Sequence, residues 1–158
     1  MTWPELEAGA PEIASLARER FTARDAALLG TLRADGWPRI SPVEPFFLEG
    51  ELVFGIMASP KLDDLRADPR CVLHSVVVDS SGAEPEVKLT GRALASDDPA
   101  ILAAEGTWWA SRPPDSVAVF RLEIEEAVAV AWDTDFGRMR ASRWRRGGHH
   151  VERERTYP

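Results

Sequence analysis

Ser59-Pro60-Lys61 is where the residue types point most directly to chemistry. The triplet follows an apolar run, Leu52–Ile56, and precedes Leu62, Leu65 and Asp68-Pro69. Ser59 suits a helix N-cap, Pro60 suits the first helical position, and Asp68-Pro69 stops the helix about two turns later. A helix that begins where a strand stops turns free backbone N–H groups toward the strand end, and its dipole adds partial positive charge there. The Ser59 hydroxyl adds a donor and Lys61 a full charge, a combination that suits a phosphate. Arg39, on the preceding strand, offers a forked second clamp.

Other groupings read more plainly as structure. His149 and His150 are adjacent, so on a strand their rings point to opposite faces and cannot share a metal. Without clustered Cys or further His, no structural zinc site is expected. His74 alternates with apolar residues and reads as a satisfied core or interface histidine. Glu125-Glu126 and Asp97-Asp98 are adjacent pairs at expected turns, where neighbouring side chains diverge, unlike a glycosidase acid/base couple. Cys71 sits among apolar neighbours and reads as a small buried hydrophobe. No G-x-S-x-G, G-x-G-x-x-G or P-loop sequence is present. The chain has six Trp; Trp108-Trp109, Trp132 and Trp144 are expected to fill a core or subunit interface, and aromatics can also wall a flat ring.

The elements that must position these residues follow from periodicity. Pro11 through Arg24 reads as an amphipathic helix with Ile13, Leu16, Ala17 and Phe21 on one face. Ala27–Arg33, Arg39–Phe47 and Leu52–Ile56 are strands joined at Asp35-Gly36 and Glu49-Gly50, giving a meander. Cys71–Val78 is a buried strand, Asp79–Pro85 a loop, and Val87 to Ala93 alternates as a half-exposed strand. Asp98-Pro99 opens a second helix that ends near Trp108–Ser111, and Arg112-Pro113-Pro114-Asp115 is a rigid connector. Ser116–Ile124 and Ala127–Asp133 are strands with a turn at Glu125-Glu126. Arg140–Arg145 and His150–Tyr157 form a last hairpin around Gly147-Gly148. Seven or eight strands with two or three helices predict a mainly β fold, a closed or nearly closed antiparallel barrel.

Composition narrows the class. The chain has 158 residues, which suits a single domain spanning 1–158. No apolar run is long enough to cross a bilayer. One cysteine excludes an intrachain disulfide, and the acidic N-terminal stretch lacks an export signal, so a cytoplasmic location is expected. A net charge of −7 argues against general nucleic-acid binding. The charge is uneven: residues 136–158 hold seven Arg and two Glu, a local +5, which leaves −12 for the rest. The basic segment is a solvated strand face, or it lies against a partner chain or an anionic cofactor.

The central segment resembles a known family. Arg39-Ile40-Ser41-Pro42-Val43, Val53-Phe54-Gly55, Ser59-Pro60-Lys61 with Leu65, and Asp68-Pro69-Arg70 are similar to the flavin-binding segment of the pyridoxamine 5'-phosphate oxidase-like split-barrel family. Trp144-Arg145-Arg146-Gly147-Gly148, Arg153-Glu154-Arg155 and the closing Arg155-Thr156-Tyr157-Pro158 resemble its C-terminal hairpin, with one residue inserted before the glycines. The resemblance implies an antiparallel, Greek-key-like FMN-binding split barrel that dimerises with itself. It implies cofactor-binding positions at Arg39, Ile40, Ser41, Phe54, Gly55, Ser59, Lys61 and Glu86, with Arg39 and Lys61 on the flavin phosphate. Trp144 and Arg155 would reach the flavin from the second subunit, with the 136–158 hairpin at the interface.

Departures from the family pattern qualify the activity. Pro60 stands where the family has a second Arg, Gly55 where it has Thr, and Glu86 where a Gln bonds the flavin ring. Val151 and Arg153 stand where true pyridoxamine phosphate oxidases place the Arg and His that hold the vitamin. The expectation is therefore an FMN-dependent oxidoreductase acting on a small molecule other than that vitamin, with no obligatory acid or base. Deazaflavin-dependent reductases of the same fold carry similar Ser-Pro-Lys and Asp-Pro-Arg segments. Haem-binding members use a His, which leaves a non-catalytic flavin or haem binder as a further alternative.

Overall fold

The computed structural model describes residues 1–79, 81–113, 115–135 and 137–157. Ser80 of the expected loop, Pro114 of the expected connector, Phe136, Pro158 and the side chain of His149 lie outside the described residues. The elements are α1 (Trp3–Gly9), α2 (Pro11–Thr22), β1 (Ala27–Leu32), β2 (Pro38–Val43), β3 (Pro45–Leu48), β4 (Glu51–Met57) and α3 (Pro60–Ala67). They continue with β5 (Arg70–Ser75), β6 (Glu86–Ala95), α4 (Pro99–Leu102), β7 (Val117–Asp133), β8 (Arg138–Arg145) and β9 (His149–Thr156).

Glu44 splits what the sequence presents as one strand. Pro45 follows it, which holds Glu44 extended and removes one ladder donor. The expected meander is thus two hairpins: β2 pairs with β1, and β3 pairs with β4. Along the sheet the order is β2-β1-β5-β6-β7-β4-β3. Its two end strands are joined by the single residue Glu44, so the sheet must curl until its edges meet. That is a barrel, closed by chain connectivity.

Alternation fills the interior. Leu29, Leu73, Val87, Leu89, Leu122 and Ile124 point inward and are fully or almost fully buried. Helices α1 and α2 add Trp3, Leu6, Ile13 and Phe21 to the same core. Each such side chain contributes about 1.5–3 kcal/mol by leaving water.

β7 corrects the expected turn at Glu125-Glu126. It is one strand of 17 residues, and the turn is a bulge. Gly91 faces Ile124 while Thr90 faces Glu126, so Glu125 is the extra residue. A Cβ on Gly91 would run into the Glu123 carbonyl oxygen, so the bulge requires glycine there. Beyond it β7 stays paired with β6 as far as Val130 but exchanges β4 for β8, and β7, β8 and β9 extend past the barrel as a three-stranded arm.

The second helix is also shorter than its sequence suggests. It spans only Pro99–Leu102, capped by Asp98 Oδ1 accepting from the Ala100 N–H at 2.9 Å. Gly106, at φ +84°, turns the chain away. Trp109 then anchors the following loop by donating from Nε1 to the Ile101 carbonyl at 3.2 Å.

Candidate functional site

The Ser59 to Asp68 segment folds as its residues dictate. Ser59 is extended, the helix runs Pro60–Ala67, and Asp68 leaves the helical region. Leu62 and Leu65 bury the inner face. One detail differs from the expected cap: the Ser59 hydroxyl donates to the Met57 carbonyl at 2.9 Å rather than accepting from the helix. The Ser59 carbonyl accepts from Leu62 N at 2.9 Å and Asp63 N at 3.3 Å.

A groove of about 350 Å³ opens at this helix start, walled by Pro42, Gly55, Met57, Ser59, Lys61 and Trp108. Lys61 Nζ donates to the Pro42 carbonyl at 2.7 Å. Burial holds its ammonium pKa below the usual lysine value, against an opposing pull from Glu44. A partly buried cation whose described hydrogen-bond partner is a neutral carbonyl is poised to accept an anion.

Trp108 is the wall that the sequence did not assign. A Cβ at Gly55 would stand 2.7 Å from the Trp109 ring and 2.9 Å from Cζ2 of Trp108. The missing threonine of the family pattern is therefore replaced by indole. Trp108 Nε1 is buried without a hydrogen-bond partner, an orphaned donor beside the groove. The available signal was the substitution itself, since a residue lost from a packed wall leaves space that a neighbour must fill.

Arg39 does not join Lys61. Its Nε donates to Asp64 Oδ2 at 2.7 Å, and Thr31 Oγ1 donates to the same oxygen at 2.8 Å. Asp64 is buried, and the Arg39 hydrogen bond holds its carboxyl below the usual carboxylate range. Asp64, one helical turn after Lys61, thus diverts the expected second phosphate clamp.

Arg39 instead lines a larger trough of about 580 Å³ on the outward sheet face, with Leu28, Gly30, Ile40, Val72 and His74. Ile40 is 71% exposed. His74 Nδ1 lies 2.7 Å from the Ser75 carbonyl. Burial pushes the thiol of Cys71, also in this wall, up to about 12.

The remaining expected contacts are dispersed. Phe54 is fully buried and stacks on Phe120 at 6.0 Å between centroids, so it is a core residue and touches neither cavity. Trp144 is 6% exposed, and a Cβ on Gly9 would meet its ring; its indole packs under α1. Arg155 faces Met139 on β8, whereas Trp144 faces His150. The two therefore project to opposite faces of the arm and do not approach one ligand from the same side. Ser41 pairs with Leu29 in the ladder. Glu86 lies 3.8 Å from His74 Nε2. Among the described residues no cluster of three metal-binding side chains occurs, and no helix is long and apolar enough to cross a membrane.

This architecture recurs in solved structures. A haem-binding protein from Mycobacterium smegmatis matches with a TM-score of 0.66 at 22% identity, over 83% of this chain and 57% of its own. The chain thus spans little more than half of that protein's length. PhzG from Burkholderia lata 383, in complex with tetrahydrophenazine-1-carboxylic acid, matches at 0.63 and 17% identity, over 98% of this chain and 92% of its own. A pyridoxamine 5'-phosphate oxidase-related, FMN-binding protein from Nostoc punctiforme PCC 73102 matches at 0.62 and 13% identity, over 94% and 96%. At such identities the likeness is one of fold. No curated protein matches the sequence. The sequence pattern of pyridoxamine 5'-phosphate oxidase, by contrast, matches residues 14–131, most of the barrel, and the chain belongs to that family.

Proposed function

We propose that the protein binds FMN in the groove at the start of α3 and serves as an FMN-dependent oxidoreductase for a small molecule. The carrying observation is Lys61, a partly buried ammonium at a helix N-terminus whose described hydrogen-bond partner is a backbone carbonyl. One further feature fits the cofactor: the orphaned Trp108 N–H at the groove wall. When bound, the isoalloxazine supplies the hydride or electron transfer, and the chain's own residues bind and orient it. Val151 and Arg153 replace the vitamin-holding pair, so the substrate is not pyridoxamine phosphate.

The groove is at the small end of ligand pockets, roughly 300–1,000 Å³. It suits the phosphate and ribityl end, while the ring extends over the outward sheet face. That face carries Leu28 and Ile40 and, on the arm, Trp132 and Val151, all of them exposed. Such a surface supports a homodimer that completes the flavin site. The protein is proposed to act in the cytoplasm as one domain with this arm at the interface.

A deazaflavin coenzyme is the second reading, favoured by one observation. With Arg39 held by Asp64, Lys61 is the groove's cation, which suits a singly charged phosphodiester better than a doubly charged phosphate. Titration of the purified protein with FMN, followed by flavin fluorescence and visible absorbance, tests the first reading. Saturable binding that Lys61→Ala weakens supports it. Absence of binding overturns it, and displacement of FMN by the deazaflavin coenzyme at lower concentration favours the second.

A further inference from the structure

The outward sheet face carries a titratable pair, His74 and Glu86, that binding of the cofactor phosphate leaves unused. Building on the flavin reading, we propose that His74 takes up a proton at Nε2 when the bound flavin is reduced, and that Glu86 steadies the resulting imidazolium beside the ring.

The ladder places the pair. Pro42, whose carbonyl holds Lys61 in the phosphate groove, stands opposite Leu28, and Leu28 stands opposite His74. Directly paired residues share a face of the sheet and sit one strand spacing, about 5 Å, apart. The row Pro42, Leu28, His74 thus leads from the groove wall across the face assigned to the ring. The His74 side chain is 32% exposed there.

The imidazole has a vacant site for a proton. A carbonyl oxygen only accepts, so the 2.7 Å contact with Ser75 puts a hydrogen on Nδ1. In the neutral ring Nε2 then carries the lone pair. Glu86 Oε2 lies 3.8 Å from it, too far for a hydrogen bond and close enough for an ion pair once Nε2 is protonated. The neighbouring strands supply the other charges. On β6, Lys88 faces His74 across the ladder and opposes the imidazolium that Glu86 favours. On the far side of β6, β7 presents Val128 and Val130, and β1 presents Leu28. The trough's remaining charges are engaged: Arg39 by Asp64, Arg70 by Asp68, and Glu125 by Arg92. A further negative charge on the ligand therefore adds to that of Glu86.

Charge balance gives the pair its role. A hydride donor delivers two electrons and one proton to the isoalloxazine, which leaves the site one negative charge richer. A proton from solvent, bound at Nε2, cancels that charge and is released when the ring is reoxidised. No bond to the flavin forms at His74.

Redox titration of the FMN-loaded protein between about pH 5 and 8, the histidine range, tests this by flavin absorbance. There the wild-type midpoint potential should fall with pH more steeply than that of His74→Ala by one proton per two electrons, about 30 mV per tenfold change in proton activity. Glu86→Gln keeps the shape and removes the charge, so the steep interval should narrow. Nitrogen NMR of the wild type reads the same event without a variant: His74 Nε2 should be protonated in the dithionite-reduced holoprotein and unprotonated in the oxidised one at the same pH. Circular dichroism establishes that both variants are folded, and FMN titration that both load. A loaded His74→Ala protein with the wild-type pH slope overturns the proposal, as does an Nε2 signal indifferent to reduction. A wild-type protein that takes up no FMN overturns the flavin reading itself, and the role of His74 falls with it.

Discussion

Asp64 Oδ2 accepts from Arg39 Nε over 2.7 Å, and this one bond decides which cavity the arginine serves. Removing Arg39 should therefore injure the fold more than the flavin site. Arg39→Ala leaves a buried carboxylate with only Thr31, at a cost of about 1–3 kcal/mol, measured by urea denaturation, while FMN affinity stays near wild type. Lys61→Ala should do the reverse, weakening FMN by about 1.5–3 kcal/mol with little change in stability. If both variants lose FMN equally, Asp64 does not hold Arg39 in solution.

The same carboxylate predicts a pH signature. Its folded pKa is depressed, chiefly by the Arg39 hydrogen bond, so its stabilising contribution is present above the ordinary Asp value and fades as pH falls through the folded one. Asp64→Asn should therefore be less stable than wild type at neutral pH, and the two denaturation curves should converge in acid.

Lys61 titrates in the opposite sense. Burial lowers its pKa in the free protein, whereas a phosphate in the groove favours the charged form. Binding then takes up a proton in the alkaline range, and FMN affinity should decline as pH rises through the free-state pKa. Lys61→Arg, which stays charged, should flatten that profile. A wild-type affinity independent of pH would remove Lys61 from the phosphate.

Gly55→Thr restores the family's residue and should nonetheless be harmful. The new Cβ would press on Trp109 and Trp108 at 2.7 and 2.9 Å, an overpacking cost of about 1–3 kcal/mol. Tryptophan fluorescence should shift as Trp108 moves, and FMN affinity should change with it. A stable Gly55→Thr protein with native fluorescence would show that the indole does not form the groove wall.

Glu84 fastens the loop after β5. It accepts from the Val78 and Asp79 N–H groups at 2.8 and 3.0 Å, and it pairs with Arg20 and Arg24. The Val78 bond is the leading reason its pKa falls from 4.5 to about 2. The clamp therefore holds above about 4.5 and loosens as pH drops toward 2. Glu84→Gln should accelerate amide hydrogen exchange at Val78 and Asp79 at neutral pH, with the β-barrel amides unaffected.

The short helix Pro60–Ala67 and the last hairpin were legible because each depends on near neighbours in sequence. Glu44 was not, because the break at Pro45 is one residue long between two apolar runs, and only the pairing partners show that they belong to different hairpins. Glu125-Glu126 looked like a turn because the apolar alternation slips phase there. A bulge produces the same slip, and the sequence has no way to tell them apart without knowing that Gly91 lies opposite. α1 was missed, although its Thr2-Trp3-Pro4-Glu5 start carries a capping pattern in which Glu5 accepts from the Thr2 N–H at 2.6 Å. The site was half legible. Gly55, Ser59 and Lys61 converge, but Arg39 is turned aside by Asp64, whose role depends on a contact 25 residues away in sequence.

β7 runs without interruption from the barrel wall into the arm. Whatever grips the arm therefore pulls on a strand that also borders β4 and β6, and strain is passed along a continuous backbone instead of being absorbed by a flexible joint.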